Sequence, residues 1–379
     1  MSLRRRHCMT HMGMSVVQFR TGRHRLPCCW GWTDFSQAVQ KLATSRSLRS
    51  LVTSMKTFTV SAHRQPHQLV ERLMSGPESK ALSITNEESV PLATALAQWV
   101  AENAHIRLLI LKGPLAHESG LRARKTSTDV DVLVLPSDVD RLISALAEHG
   151  WSPRPWPQFP TLLPPHSRAL LHPQWGIDID VHFNWPGFLA PASNVFDRLW
   201  ERRREMTLAG TPVQTTGRAD TALILALHLL REAPQKWNRG RTIPAYDDLI
   251  KRVVADDGLS ADIRAAAADT GSEQTARPFL EAVGFEIPET EPDDALRAWR
   301  LHGASAHPVS GWLNAFADAS IRERPSLVWR AVFPSAADLR AIDPAGGDGA
   351  RGTFYRWWRR LKRGIRTAPA AIRTLRKEK

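Results

Sequence analysis

Two short stretches of strict alternation carry acids where a half-buried strand would hold only neutral side chains. Residues 129–135 read Asp-Val-Asp-Val-Leu-Val-Leu, and residues 177–183 read Ile-Asp-Ile-Asp-Val-His-Phe. A period of two places Asp129, Asp131 and Leu133 on one face of the first strand. It places Asp178, Asp180 and His182 on one face of the second. Ile177, Ile179, Val181 and Phe183 commit the other face to a core. Carboxylates one pleat apart repel each other and resist burial. A divalent cation between them removes both costs, and magnesium prefers carboxylate oxygens while leaving positions open for phosphate. Asp129 and Asp131 are therefore candidate metal ligands, and Asp180 a third ligand from a neighbouring strand. A solvated edge strand without metal is the alternative for the pair. For Asp178 an exposed acid outside the site is the simpler reading.

The flanking sequence supplies cations. The apolar run 105–111 reads as a buried strand, broken by Lys112-Gly113-Pro114. A glycine there lets backbone approach a phosphate closely, and Pro114 suits the first turn of a short helix. Lys112, Arg122, Arg124 and Lys125 crowd this strand end and the polar loop 120–128 that follows. Cations beside paired acids suit a polyphosphate bound through metal.

The remaining pattern divides the chain. Thr85-x-x-Glu88 is a capping-box sequence opening a helix over about 86–103. After the strand ending at Pro136, Ser137 is placed to cap a helix over 138–148 that Gly150 closes. Residues 151–166 hold six prolines and read as loop or edge. Asn194 is placed to cap 195–205, and 207–215 reads as a hairpin around Ala209-Gly210. Residues 219–232 form an apolar helix that is core rather than a cofactor box. Shorter helices are expected near 245–256, 260–269, 274–283, 293–302 and 308–319. His228 and His302 lie in these patterns and read as core or surface histidines. The expected fold class is α+β: a small mixed β-sheet domain with flanking helices over 56–215, then an all-helical domain over 216–345.

Charge separates the ends from the middle. The 379 residues carry 51 Lys+Arg against 38 Asp+Glu, a net charge of +13. Residues 1–55 contribute +8 and residues 351–379 contribute +10, so the middle is at −5. The basic total alone would suggest a nucleic-acid protein; the mildly acidic body does not. Hydrophobic residues at 42% and charged residues at 23% are ordinary for a globular chain. No run approaches the ~18 apolar residues of a membrane span. Residues 1–55 read as a disordered basic extension. They lack a secretory h-region, and a start called too early, with Met55 as the true one, also explains them. All three cysteines, Cys8, Cys28 and Cys29, lie there without finger-like zinc spacing.

Residues 346–379 form a basic, aromatic tail. From Phe354 to Arg366, the residues Phe354, Trp357, Trp358, Leu361 and Ile365 fall near one helical face. Three fates fit: peripheral contact with an anionic membrane surface, nucleic-acid contact, or docking of the aromatics on the body.

The order strand, glycine turn, short helix, Asp-x-Asp strand, then a later Asp strand resembles the DNA polymerase β-like nucleotidyltransferase superfamily. More narrowly, three segments are similar to an uncharacterised bacterial nucleotidyltransferase family: Leu111-Lys112-Gly113, Asp129-Val130-Asp131-Val132-Leu133-Val134, and Asp180-Val181-His182. The helix ending at Gly150-Trp151 and Phe333-Pro334-Ser335 fit as well. Gly113-Pro114 departs from the Gly-Ser or Gly-Gly of the wider superfamily, and the gap from Gly113 to Asp129 is longer. The resemblance implies a cytoplasmic transferase that moves a nucleoside monophosphate from an NTP to a hydroxyl acceptor. It implies two Mg²⁺ ions on Asp129, Asp131 and Asp180, all three catalytic. Lys112, Gly113 and either Arg124 or Lys125 would line the nucleotide phosphates. His182 could orient the site, act as a base, or simply pack. A non-catalytic nucleotide or nucleic-acid binder on the same fold, tethered by its tail, is the alternative.

Overall fold

The computed structural model describes residues 84–156, 159–232, 239–304, 309–343, 347 and 349–378. The extension 1–55, with its cysteines and Met55, lies outside the described residues. The sheet is built from β1 (Leu108–Ile110), β2 (Asp129–Val134), β3 (Ser152–Pro153), β4 (Ser167–Leu171), β5 (Asp178–His182), β6 (Arg204–Leu208) and β7 (Thr211–Thr215). Its order is β3-β4-β5-β2-β1-β7-β6. β5 is parallel to β2 and β1 is parallel to β7, while the other neighbours are antiparallel. The expected mixed sheet with flanking helices is therefore present, and a helical region follows it.

Helices α1 (Asn86–Asn103), α2 (Pro114–Glu118), α3 (Val139–Ala147) and α4 (Ala192–Glu201) interleave with the strands. At the start of α1, the Thr85 N–H donates to the Glu88 carboxylate at 3.1 Å, half of the reciprocal capping pattern. The β6–β7 turn has Ala209 at φ 49° and Gly210 at φ 78°, the pair of positive φ values a two-residue hairpin of matching twist requires. Two expected caps differ. Pro136–Asp138 form a 3₁₀ turn, so Ser137 lies inside that turn and α3 begins at Val139. Pro191 starts α4 at Ala192, which leaves Asn194 within its first turn. Strand β4 follows the proline-rich stretch and has no alternation of its own; its pairing with β5 makes it a strand.

The helical region comprises α5 (Arg218–Glu232), α6 (Arg239–Val254), α7 (Leu259–Asp269), α8 (Arg277–Ala282), α9 (Asp294–Ala304), α10 (Val309–Asp318), α11 (Arg324–Val332), α12 (Ala336–Ile342) and α13 (Gly349–Glu378). α5 is its pivot: Leu223, Ile224 and Leu227 are fully buried against Leu109, Leu111 and Leu133 of the sheet and Phe279 and Leu280 of α8. Each such aliphatic contributes about 1.5–3 kcal/mol on leaving water. Ser335 of the Phe-Pro-Ser triplet caps α12, its hydroxyl accepting from the Asp338 N–H at 3.0 Å.

The tail is the long helix α13, and it packs on α9, α10 and α12. Its inward face differs from the expected aromatic one. Arg356, Trp357 and Arg360 face the body: Trp357 Nε1–H donates to Val332 O at 2.6 Å, and Arg360 donates to Ala331 O. Phe354, Trp358 and Ile365 stay exposed. No helix among the described residues is long and apolar enough to cross a membrane.

Candidate active site

The site forms where β2 and β5 run side by side. Their parallel register sets Asp129 beside Asp178, Asp131 beside Asp180, and Leu133 beside His182. Two strands that each carry acids on one face thus stack those acids into a single cluster. Asp131, Asp180 and His182 each offer a ligand atom, and these atoms lie within 4.8 Å of one another. Among the described residues this is the one such group that could hold a metal ion.

Asp131 is the anchor. It is buried, and burial alone would raise its carboxyl. Lys112 Nζ at 3.1 Å from Oδ2 and the His182 Nε2–H bond to Oδ1 at 2.9 Å outweigh that and hold it well below the usual carboxylate range. The ionised Asp131 makes His182 the donor, and His182 Nδ1 is left buried without a hydrogen-bond partner. Trp185 forms the floor, its ring 5.0 Å from Lys112 Nζ and 4.9 Å from the His182 ring. The other two acids behave differently. Burial first, then Asp131, raises Asp129. Burial first also raises Asp180, with Asp131 and Asp129 adding repulsion against the relief from His182. The donor chemistry therefore fits a divalent cation: hard carboxylate oxygens, a neighbouring imidazole, and two acids whose charge lacks full compensation.

A cluster of cations lies at the end of β1 and the start of β2. Gly113 takes φ 69° and ψ −130°, a backbone state open to glycine alone. A turn in this state delivers Lys112 to Asp131. Arg122 folds back to donate to Gly113 O at 2.7 Å, and its charge feels Asp129 and Asp131. Arg124 is exposed at the loop surface. Partial burial, then the charges of Arg241 and Arg122, lower the Lys125 ammonium, so these cations lie close together.

A cavity opens on another side of the acids. Its volume is about 1430 Å³, and it is bounded by Asp178 and Asp180 at one end and by α13 at the other; Asp129, Asp131 and Lys112 are not among its walls.

Residues 87–282 match the model of a family described as uncharacterised nucleotidyltransferase. That span covers more than half of the chain. The chain belongs to this nucleotidyltransferase family. The family span contains all of the sheet and every residue of the acidic cluster. No curated protein matches the chain. Among solved structures, it is similar to an antigenic nucleotidyltransferase-like protein from Paracoccidioides brasiliensis, at 13% identity over 52% of this chain and 94% of that one, TM-score 0.32. It is also similar to the antibiotic-resistance factor ANT(2'')-Ia, at 13% identity over 51% of this chain and 88% of that one, TM-score 0.29.

Within this nucleotidyltransferase, the acids expected from the strand pattern converge, with two differences in detail. His182 joins Asp131 and Asp180 in the tight group, and Asp129 stands outside it. Lys112, expected to line the nucleotide phosphates, contacts Asp131. Asp178, at the strand end, is paired with Arg154. Three residues near the site went unassigned in the sequence: Trp185, His166 and Arg231. His166 stacks on His182 with ring centroids 5.9 Å apart, and Arg231 Nη1 lies 3.3 Å from His166 Nε2. The one sequence signal for Arg231 was its place at the polar end of an apolar helix, three residues beyond His228.

Proposed function

We propose that this nucleotidyltransferase moves a nucleoside monophosphate from an NTP to the hydroxyl of a small-molecule or protein acceptor, on a polymerase β-like fold. Asp129, Asp131 and Asp180 form its catalytic acids, and two Mg²⁺ ions are its cofactors. The observation that carries the reading is the register of β2 on β5, which brings Asp131 and Asp180 together with His182 within ligand distance of one cation. Magnesium bound there would neutralise the triphosphate and polarise the α-phosphorus.

The protein residues divide the remaining work. Gly113 receives the β- and γ-phosphates by close backbone approach, and Lys112, Arg122, Arg124 and Lys125 add positive charge. His182 holds Asp131 in one orientation. Asp180, which faces the cavity, would take the acceptor's proton. The acceptor oxygen then bonds to the α-phosphorus as the bond from that phosphorus to the bridging oxygen breaks. Pyrophosphate leaves with the electron pair, and the hydroxyl proton ends on Asp180.

The test is transfer of label by the full chain, incubated with Mg²⁺ and a small-molecule extract. Label from an α-labelled NTP should appear in a new organic product, label from a γ-labelled NTP should not, and Asp131→Asn/Asp180→Asn should abolish the transfer. Transfer that survives the double substitution would place the chemistry elsewhere. Mg-NTP binding without transfer would favour a non-catalytic nucleotide binder.

A further inference from the structure

The cavity at the Asp180 end carries more positive charge than its own residues balance. Arg154 and Arg359, which line it, are paired with Asp178 and Asp343. Arg231, Arg360 and Arg363 also line it; the charges of Glu232, Asp131 and Asp180 reach Arg231 and that of Asp338 reaches Arg360, without a close ion pair to either among the described residues. Arg231 instead contacts two imidazoles, His166 Nε2 at 3.3 Å and His228 Nδ1 at 3.5 Å. Burial first, then the Arg231 charge, pushes His166 down to about 3, and the same causes push His302 to about 4, so neither adds a cation at neutral pH. Arg360 lies over two aromatic walls, 4.8 Å from the Phe159 ring centroid and 5.7 Å from that of Trp312. A guanidinium in a protein wall is normally matched by a carboxylate. Among the described walls of this cavity seven arginines meet four carboxylates, Asp178, Asp180, Glu232 and Asp343, and that surplus of cations calls for an anion from outside the chain. Guanidinium forks suit carboxylate and phosphate alike.

Size and lining narrow the class. A cavity of about 1430 Å³ exceeds the roughly 300–1,000 Å³ of most small-ligand sites. Beyond the arginines its walls are largely apolar, with Leu163, Val332 and Leu339 beside Phe159 and Trp312. Such a space holds an extended molecule with an apolar or aromatic frame.

We infer that this cavity is the acceptor site, and that the acceptor is an organic anion: a hydroxyl compound bearing a phosphate or carboxylate on an apolar or aromatic frame. Arg231, Arg360 and Arg363 supply the charge that holds the anion, while the Phe159 and Trp312 rings hold the frame. The word acceptor rests on the nucleotidyltransferase reading; the anion site does not.

The test is calorimetric titration of the full chain, without metal or nucleotide, with 1-naphthyl phosphate, 1-naphthoate and 1-naphthol. The two anions should bind at least tenfold more tightly than the alcohol, and their order tells phosphate from carboxylate. Arg231→Gln and Arg360→Gln should each weaken the anions about tenfold and leave the alcohol unchanged. Arg363→Gln, on an exposed helix position, gives the same reading without risk to folding. A magnesium complex of a non-hydrolysable ATP analogue should not displace the anions. Equal binding of alcohol and anions, indifference to all three substitutions, or displacement by the nucleotide would overturn the inference. Intact anion binding with no Mg-nucleotide binding would instead overturn the nucleotidyltransferase reading and leave the anion site standing.

Discussion

Lys112 Nζ lies 3.1 Å from Asp131 Oδ2; Asp131 is buried and Lys112 is partly so. The glycine turn at Gly113 thus delivers a built-in cation to the acid at the centre of the site. Removing one partner of a buried pair leaves an uncompensated charge and costs roughly 3–5 kcal/mol. Lys112→Met should therefore lower the Tm markedly in the absence of metal. Added Mg²⁺ should raise the Tm of the variant more than that of the wild type, because the metal then replaces the lost charge. Thermal melts with and without Mg²⁺ check this; equal shifts in both proteins would disconnect Lys112 from the metal site.

Asp180 has the opposite energetics. Its folded pKa is raised, so its contribution to stability is fully present below the ordinary carboxylate range and is lost as pH rises through the folded value. At neutral pH the ionised group is a burden on the metal-free fold. Asp180→Asn should raise the Tm at pH 7.5 while reducing nucleotidyl transfer by about a thousandfold or more, since a lost metal contact forfeits several kcal/mol. A variant that is both less stable and fully active would remove Asp180 from the site.

The histidines around Arg231 set the acid limit of the fold. His166, His228 and His302 all have depressed folded values, with burial the largest cause in each. Unfolding below pH 6.5 lets them take up protons, so their stabilising effect is complete above that value and fades as pH falls toward about 4. Melts from pH 7 to pH 4.5 should show a steep fall in Tm, and His166→Gln should make the fall shallower. An unchanged slope in the variant would contradict the assignment.

Gly113→Ala tests the proposed role of the turn in phosphate binding. At φ 69° and ψ −130° a Cβ is strained by about 1–3 kcal/mol, although the nearest atom, Ser127 Oγ, is a comfortable 3.6 Å away. The expected result is a modest loss of stability with a larger loss of Mg-NTP affinity, read by titration calorimetry.

Truncation before Gly349 tests the tail. Loss of the Trp357 and Arg360 contacts should lower the Tm of the helical region. The exposed Phe354, Trp358 and Ile365 beside basic residues suit an anionic membrane surface, so co-sedimentation with phosphatidylserine vesicles should also fall. Unchanged vesicle binding would leave docking as the tail's whole role.

The parts of the fold that were legible in the sequence are those whose signal is local. The capping residues Thr85 and Glu88, the alternation of β2 and β5, and the Ala209-Gly210 turn each specify their element within a few residues. Strand β4 was not legible, because Ser-Arg-Ala-Leu-Leu has no period and becomes a strand only through β5. Nor was α11, which buries no residue fully. The acids of the site were legible because charge on an alternating apolar strand needs a cation. Their partners were not. The entry of His182 into the tight group depends on the register of β2 against β5, and the approach of Arg231 to His166 spans 65 residues. The inward face of α13 likewise depends on where α10, α11 and α12 lie, which turned Arg356 and Arg360 inward and left Phe354 and Trp358 outside.

The most direct measurement is anomalous diffraction from crystals soaked with Mn²⁺ and a non-hydrolysable NTP. The account predicts a manganese peak at about 2.1 Å from oxygens of both Asp131 and Asp180. It also predicts Lys112 drawn off Asp131 toward the phosphates, and an α-phosphate facing the Arg231 cavity. Manganese bound elsewhere, with Lys112 still on Asp131 and the nucleotide away from β2 and β5, would contradict it.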